Sequence, residues 1–93
     1  MREKHIEQAF ANAAKQAGLW PLKLTCPGTA GMPDRIVLSP NAKVTFVELK
    51  APGKKPRPLQ THRHEQLRHL GFTVITINHL DQIHGAINEI LSA

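Results

Sequence analysis

Tyrosine is absent from this chain, and its aromatic residues are three phenylalanines and one tryptophan. A surface that stacks nucleobases needs clustered aromatics. Trp20 has no aromatic near it in sequence and reads instead as a core or interface anchor. Cysteine is equally scarce. The lone Cys26 has no internal disulfide partner, which fits a reducing compartment. It lies in a loop with no base nearby to make it a nucleophile. No run approaches the ~18 apolar residues of a membrane span. Residues 1–10 are charged and lack the apolar centre of a secretory signal. The expectation is a cytoplasmic protein without membrane association. The glycines fall into neither GxGxxG nor GxxxxGK(S/T) spacing, which argues against a dinucleotide enzyme or an ATPase. Helix-turn-helix, zinc-finger and RRM signatures are also missing, so any nucleic acid is read by shape rather than by base sequence.

What is present is a globular composition, 41% hydrophobic, over a length that suits one domain, 1–93, with a modest core. Twelve lysines and arginines against seven acids give a net charge of +5 and favour an acidic partner.

The informative stretch runs from Gly31 to Lys50. Two apolar runs, Ile36-Val37-Leu38 and Val44 to Leu49, each carry an acid that a buried strand does not favour: Asp34 and Glu48. Strand alternation puts Glu48 and Lys50 on one face and Val47 and Leu49 on the other. The linker Ser39-Pro40-Asn41-Ala42-Lys43 is rich in turn formers and suits a hairpin. That hairpin would set Asp34 beside Glu48, roughly 5 Å away. Two carboxylates that close repel unless a cation lies between them. Their hard oxygens suit Mg2+ or Mn2+. Lys50 would orient or deprotonate a water, or stabilise developing charge. The blander reading is a Glu-Lys ion pair beside an ordinary turn acid.

Pro33-Asp34 followed by Glu48-Leu49-Lys50 resembles the PD-(D/E)xK nuclease superfamily. The strings Gly-Met-Pro-Asp-Arg-Ile-Val-Leu and Val-Glu-Leu-Lys-Ala-Pro-Gly-Lys-Lys-Pro-Arg-Pro-Leu-Gln are similar to its virus-type replication-repair nuclease (VRR-Nuc) branch, in compact stand-alone form. The likeness runs from about Ile6 to Leu91. It implies an α/β, restriction-endonuclease-like αβββαβα core, a four-stranded mixed sheet flanked by helices. It further implies an Mg2+- or Mn2+-dependent endonuclease that cuts branched DNA such as Holliday junctions as a homodimer. The alternative is an inactive DNA-binding subunit of the same fold. Asp34 and Glu48 would hold the metal with the Leu49 carbonyl, and Lys50 would act on the water. The family's helix-one glutamate matches Glu7, with Glu3 one turn earlier as the alternative, and its supporting glutamine matches Gln60.

The flanking segments agree with that order. Ile6, Ala9, Phe10, Ala13, Ala14 and Ala17 recur at helical spacing and predict a helix over 3–17, stopped by Gly18. Trp20 to Thr25 reads as an edge strand opened by Pro21. Lys23 on it either reaches phosphate or is simply solvated, and Arg35 either contacts DNA or pairs with an acid. The proline-stiffened loop from Ala51 to Pro58 carries Lys54, Lys55 and Arg57, where they would grip a DNA backbone. Residues 58–70 read as a second helix with Leu59, Leu67 and Leu70 as a partial core stripe, and Arg63 extends its basic face. His62 and His64 stand two apart on it and diverge, a poor chelate. Phe72 to Ile77 reads as a buried strand parallel to Val44–Lys50. A final helix follows, with Asn78 and Asp81 as its start signal and Leu80, Ile83, Ile87, Ile90 and Leu91 along its apolar face.

Overall fold

A computed structural model describes residues 1–92. The elements run α1 (Glu3–Gln16), β1 (Trp20–Lys23), β2 (Arg35–Ser39), β3 (Lys43–Leu49), α2 (Pro58–His69), β4 (Thr73–Ile77), a 3-10 turn (Leu80–Gln82) and α3 (Ile83–Leu91). The sheet order is β1-β2-β3-β4, antiparallel at the first two seams and parallel at the third. This is the mixed four-stranded α/β arrangement that the residue pattern predicts. The parallel seam follows from α2, which carries the chain back between β3 and β4.

Alternation along β3 divides the core. Val47 and Leu49 join Val37, Ile77, Ile6, Phe10 and Ile90 beneath α1 and α3. Phe46 joins Val74 and Leu67 beneath α2. Fully burying a side chain of the size of Ile6 or Phe10 contributes ~1.5–3 kcal/mol, so the larger cluster carries most of the stability. Alanines 9, 13 and 17 are only partly buried, and they let α1 lie close to its neighbours. The hairpin turn between β2 and β3 holds Asn41 and Ala42 at positive φ, 68° and 59°. Two successive left-handed residues match the twist of a tight hairpin.

Four expectations need correction. Trp20 is 61% exposed and is not a core residue, because β1 is an edge strand whose outer end no helix covers. β4 is an edge strand as well, with a mixed burial pattern. Leu59 and Leu70 are exposed at 44% and 75%, so the inward stripe of α2 is not the leucine one. Instead Gln60, His64 and Leu67 point inward, spaced four and three. The last helical segment begins at Leu80, and the side chain that reaches back to its start is Gln82, whose Oε1 accepts from the backbone N–H groups of Asn78 and His79, rather than Asp81.

Candidate active site

The β2–β3 register pairs Arg35 with Val47, so one step further Asp34 stands opposite Glu48. Paired residues share a face of the sheet, and here it is the α2 face, with Ile36 and Phe46. Asp34 is pinned at both ends. Its carbonyl accepts from Leu24 N at 2.9 Å, and its Oδ2 accepts from Leu49 N at 2.9 Å. The N–H and C=O of a strand residue point to the same edge. The Leu49 carbonyl therefore opens on the β2 side, toward the space Asp34 occupies.

Glu48 is 1% exposed at the carboxyl end of β3. Burial, then the charge of Asp34 and a hydrogen bond shared with it, push the Glu48 carboxyl up to about 8, with Lys50 pulling the other way. Its Oε2 accepts from Gln60 Nε2 at 3.1 Å and lies 3.8 Å from Lys50 Nζ. Its Oε1 is buried with no hydrogen-bond partner among the described residues. The nearest basic atom to it is His64 Nε2 at 3.5 Å, itself unpartnered. Burial first, then Arg68 and Lys50, depress the His64 imidazole below its ordinary value. A neutral ring is thus favoured at pH 7. Gln60 and His64 stand one helical turn apart, so α2 presents one side chain to each Glu48 oxygen. Gln60 also accepts from Arg57 N at 2.8 Å, which ties Glu48 to the end of the basic loop.

Glu7 and Arg35 lie elsewhere. Arg35 follows Asp34 and therefore faces the opposite side of the sheet, under α1. Its Nη2 donates to Glu7 Oε1 at 2.9 Å and its Nη1 to the Pro21 carbonyl at 2.8 Å. The Arg35 side chain is only 11% exposed. It is an internal tie, not a free phosphate contact, and it holds Glu7 away from Asp34 and Glu48. Glu3 is the α1 acid beside the site: it lines a concavity of about 390 Å3 with Lys50, Ala51, Lys54, Lys55 and Arg57. The basic loop thus opens onto Lys50, held partly by Asn78 Nδ2 donating to the Lys54 carbonyl at 2.9 Å. Lys23 lies outside this concavity, on β1. Arg63 is also engaged, donating through Nε to the Ala30 carbonyl at 2.8 Å and through Nη1 to Gln66.

The bond to Ala30 clamps the glycine loop onto α2, four residues before Asp34. Gly31 sits at φ +85°, and a Cβ there would fall 2.8 Å from Leu59 Cγ and 3.1 Å from the Leu59 carbonyl oxygen. The close approach is to the helix rather than to a ligand. Gly31→Ala is expected to cost about 2–3 kcal/mol, from left-handed strain and overpacking together. Urea denaturation checks this; an unchanged midpoint contradicts it.

The sequence offered His64 only as half of a poor chelate, not as a neighbour of Glu48. Its signal was the four-and-three spacing Gln60–His64–Leu67, which the leucines at 59 and 70 obscure.

A four-stranded mixed sheet with paired acids and a lysine at the carboxyl end of its third strand defines the PD-(D/E)xK class of architecture. No family model matches the chain. Among solved structures, a "VRR_NUC domain" superposes with a TM-score of 0.85 at 29% identity, covering 92% of this chain and 94% of that one. A "VRR_NUC domain protein" shares the fold at TM-score 0.79 and 18% identity, over 98% of this chain and 88% of that one. The chain belongs to the VRR-Nuc family. Its relatives include "Putative nuclease p44" of Acyrthosiphon pisum secondary endosymbiont phage 1, 42% identical over 81 residues, 87% of each protein.

Proposed function

We propose that this protein is a metal-dependent DNA endonuclease of one domain, in which Asp34, Glu48 and the Leu49 carbonyl hold Mg2+ or Mn2+. The observation that carries the reading is the buried, unpartnered Oε1 of Glu48, on a carboxyl that crowds Asp34 at a strand end. Among the described residues no group of three or more His, Cys, Asp and Glu side chains is placed to hold a metal. Two carboxylates with a backbone oxygen are nonetheless a fitting donor set for a hard ion that keeps waters and takes substrate phosphate. Bound there, the ion would polarise a phosphoryl oxygen and make a water more acidic.

The chain's own residues supply the rest. Asp34 and Glu48 would hold the ion, and the Glu48 carboxyl would have to give up its proton to do so. Lys50 orients the attacking water or balances charge gathering on the phosphate. Lys54, Lys55 and Arg57 grip the backbone beside it, without regard to base sequence. Glu3, rather than Glu7, is the α1 acid that assists. Gln60 holds Oε2 by a hydrogen bond and the His64 ring walls the Oε1 side at 3.5 Å, so that the carboxylate does not rotate away from Asp34. Loss of such outer support typically costs 10–100-fold in metal affinity. His64→Leu is therefore expected to weaken Mn2+ binding by ~10-fold, with His64→Gln, which keeps a polar group beside Oε1, recovering most of it. Calorimetric Mn2+ titration checks this, and equal affinity in all three proteins contradicts it.

The substrate class we assign is branched DNA such as a Holliday junction, and the working form a homodimer. One site per small domain cuts one strand, and a two-fold pair supplies the symmetric second cut. Cleavage of junction, flap, single-stranded and duplex DNA with Mg2+ and Mn2+ tests the function. Metal-dependent cutting, greatest on a branched substrate, is expected. No cleavage of any of the four, with metal-independent binding retained, would instead support the inactive DNA-binding subunit.

A further inference from the structure

A second concavity, of about 460 Å3, lies between α1 and the β1–β2 edge. Its lining includes Lys4, Glu7, Asn12, Lys15, Lys23 and Arg35. The one acid is already neutralised, because Glu7 is held by Arg35 at 2.9 Å. Lys4, Lys15 and Lys23 are exposed, and no ion pair engages them among the described residues. Three uncompensated ammonium groups therefore face one groove. No aromatic lines it, so it offers nothing for a base to stack on. What it fits is a run of phosphates.

The groove begins on the same first turn of α1 that borders the catalytic end. Glu3 lines the concavity beside Lys50, and Lys4, the next residue on α1, lines this one. From Lys4 to Lys15 the helix rises on the order of 16 Å, at 1.5 Å per residue. Phosphates on one DNA strand are ~3.4 Å apart along the axis, so that span matches about five of them.

We infer that the α1–β1–β2 groove is a second backbone-binding site, which holds a DNA arm for about five base pairs beyond the point of cleavage. The inference deepens the DNA reading above and rests on it. Arg35 acts in it as a positioning residue, since it cancels Glu7 and leaves the lysines unopposed.

The test is binding, measured by fluorescence anisotropy in EDTA so that cleavage does not enter. Junctions with short and long arms are compared for the wild type, for K4Q/K15Q/K23Q, and for Asn12→Glu, which introduces a negative charge instead of removing positive ones. Wild-type affinity is expected to rise with arm length. For the triple variant that gain disappears. Its slope of log K against log salt becomes shallower by up to ~2.7, at ~0.9 per lost phosphate contact. Asn12→Glu weakens long-arm binding in the same direction. Wild-type affinity and slope in both variants overturn the proposal. So does a loss seen only with a polyglutamate probe, which would make the groove a site for acidic protein. A parallel cleavage assay on the wild type separates the two ideas: binding that depends on the groove without cutting leaves the groove in place and removes the nuclease reading.

Discussion

Glu48→Gln is expected to abolish cleavage, by about 10^3-fold or more, while leaving the metal-free protein more stable at alkaline pH. The two effects have one cause. In the folded protein the Glu48 proton is retained up to about pH 8, because burial and Asp34 both oppose the charge. In the unfolded chain the same carboxyl ionises near its ordinary value of 4.5. The folded state therefore binds more protons between those limits, and stability falls as pH rises through them. It is fully present below the unfolded value and largely lost above the folded one. The introduced amide has the shape of the neutral acid. It has no charge to expel, so its advantage over the wild type is small at pH 5. By pH 9 the advantage grows to on the order of a few kcal/mol. Denaturant titrations at the two pH values measure this. A parallel loss of stability at both would show that the Glu48 charge is not the strained element.

The same linkage governs the metal. A cation that needs the Glu48 carboxylate must displace its proton, so affinity is expected to rise from pH 6 to 8 and then level off.

The second large effect falls on Lys50. Lys50→Met is expected to lower kcat by roughly 10^2- to 10^4-fold, because a positioned acid–base or charge-stabilising group is lost. It should also weaken metal binding at pH 7, for a separate reason. Lys50 is the group that pulls the Glu48 carboxyl down, and without it the proton is held to still higher pH. The two losses respond differently to conditions. Raising the pH restores Mn2+ affinity, since it removes the competing proton. It does not restore turnover, since no base replaces the missing ammonium. Turnover measured at saturating Mn2+ across pH 7 to 9 separates them. Full recovery of kcat at high pH would reduce Lys50 to a counter-charge for Glu48.

The placement of Asp34 and Glu48 was legible because strand alternation is a local rule. A period of two, a hairpin-length turn and a pair of acids inside apolar runs leave few arrangements open. Applied to Arg35, the same rule says that it must face away from its neighbour Asp34. The structure shows this in the bond from Arg35 to Glu7. Which acid of α1 comes near the site was not legible. The alanine stripe sets the rotation of the helix, but not how far its first turn projects past the end of β3. That distance is a tertiary matter, settled by packing against the sheet, and it brings Glu3 to the concavity of Lys50. The place of His64 beside Glu48 was not legible for a related reason. A helix with apolar residues on several sides has a weak stripe, and a histidine is ordinarily read as surface. Only the position of Glu48, fixed by a different element, gives its imidazole a reason to be inside.

The candidate phosphate contacts divide in the same way. Composition marks Lys54, Lys55 and Arg57 as a basic loop, and its place just after β3 follows from the chain order. Arg63 is equally basic in sequence, yet its guanidinium is taken up by Ala30 and Gln66.

Anomalous diffraction from crystals soaked in Mn2+ tests the central claim most directly. The predicted result is a peak between the carboxylates of Asp34 and Glu48, within coordinating reach of the Leu49 carbonyl, and absent from Glu48→Gln crystals. A peak confined to other residues, or one that persists unchanged in the variant, would contradict it.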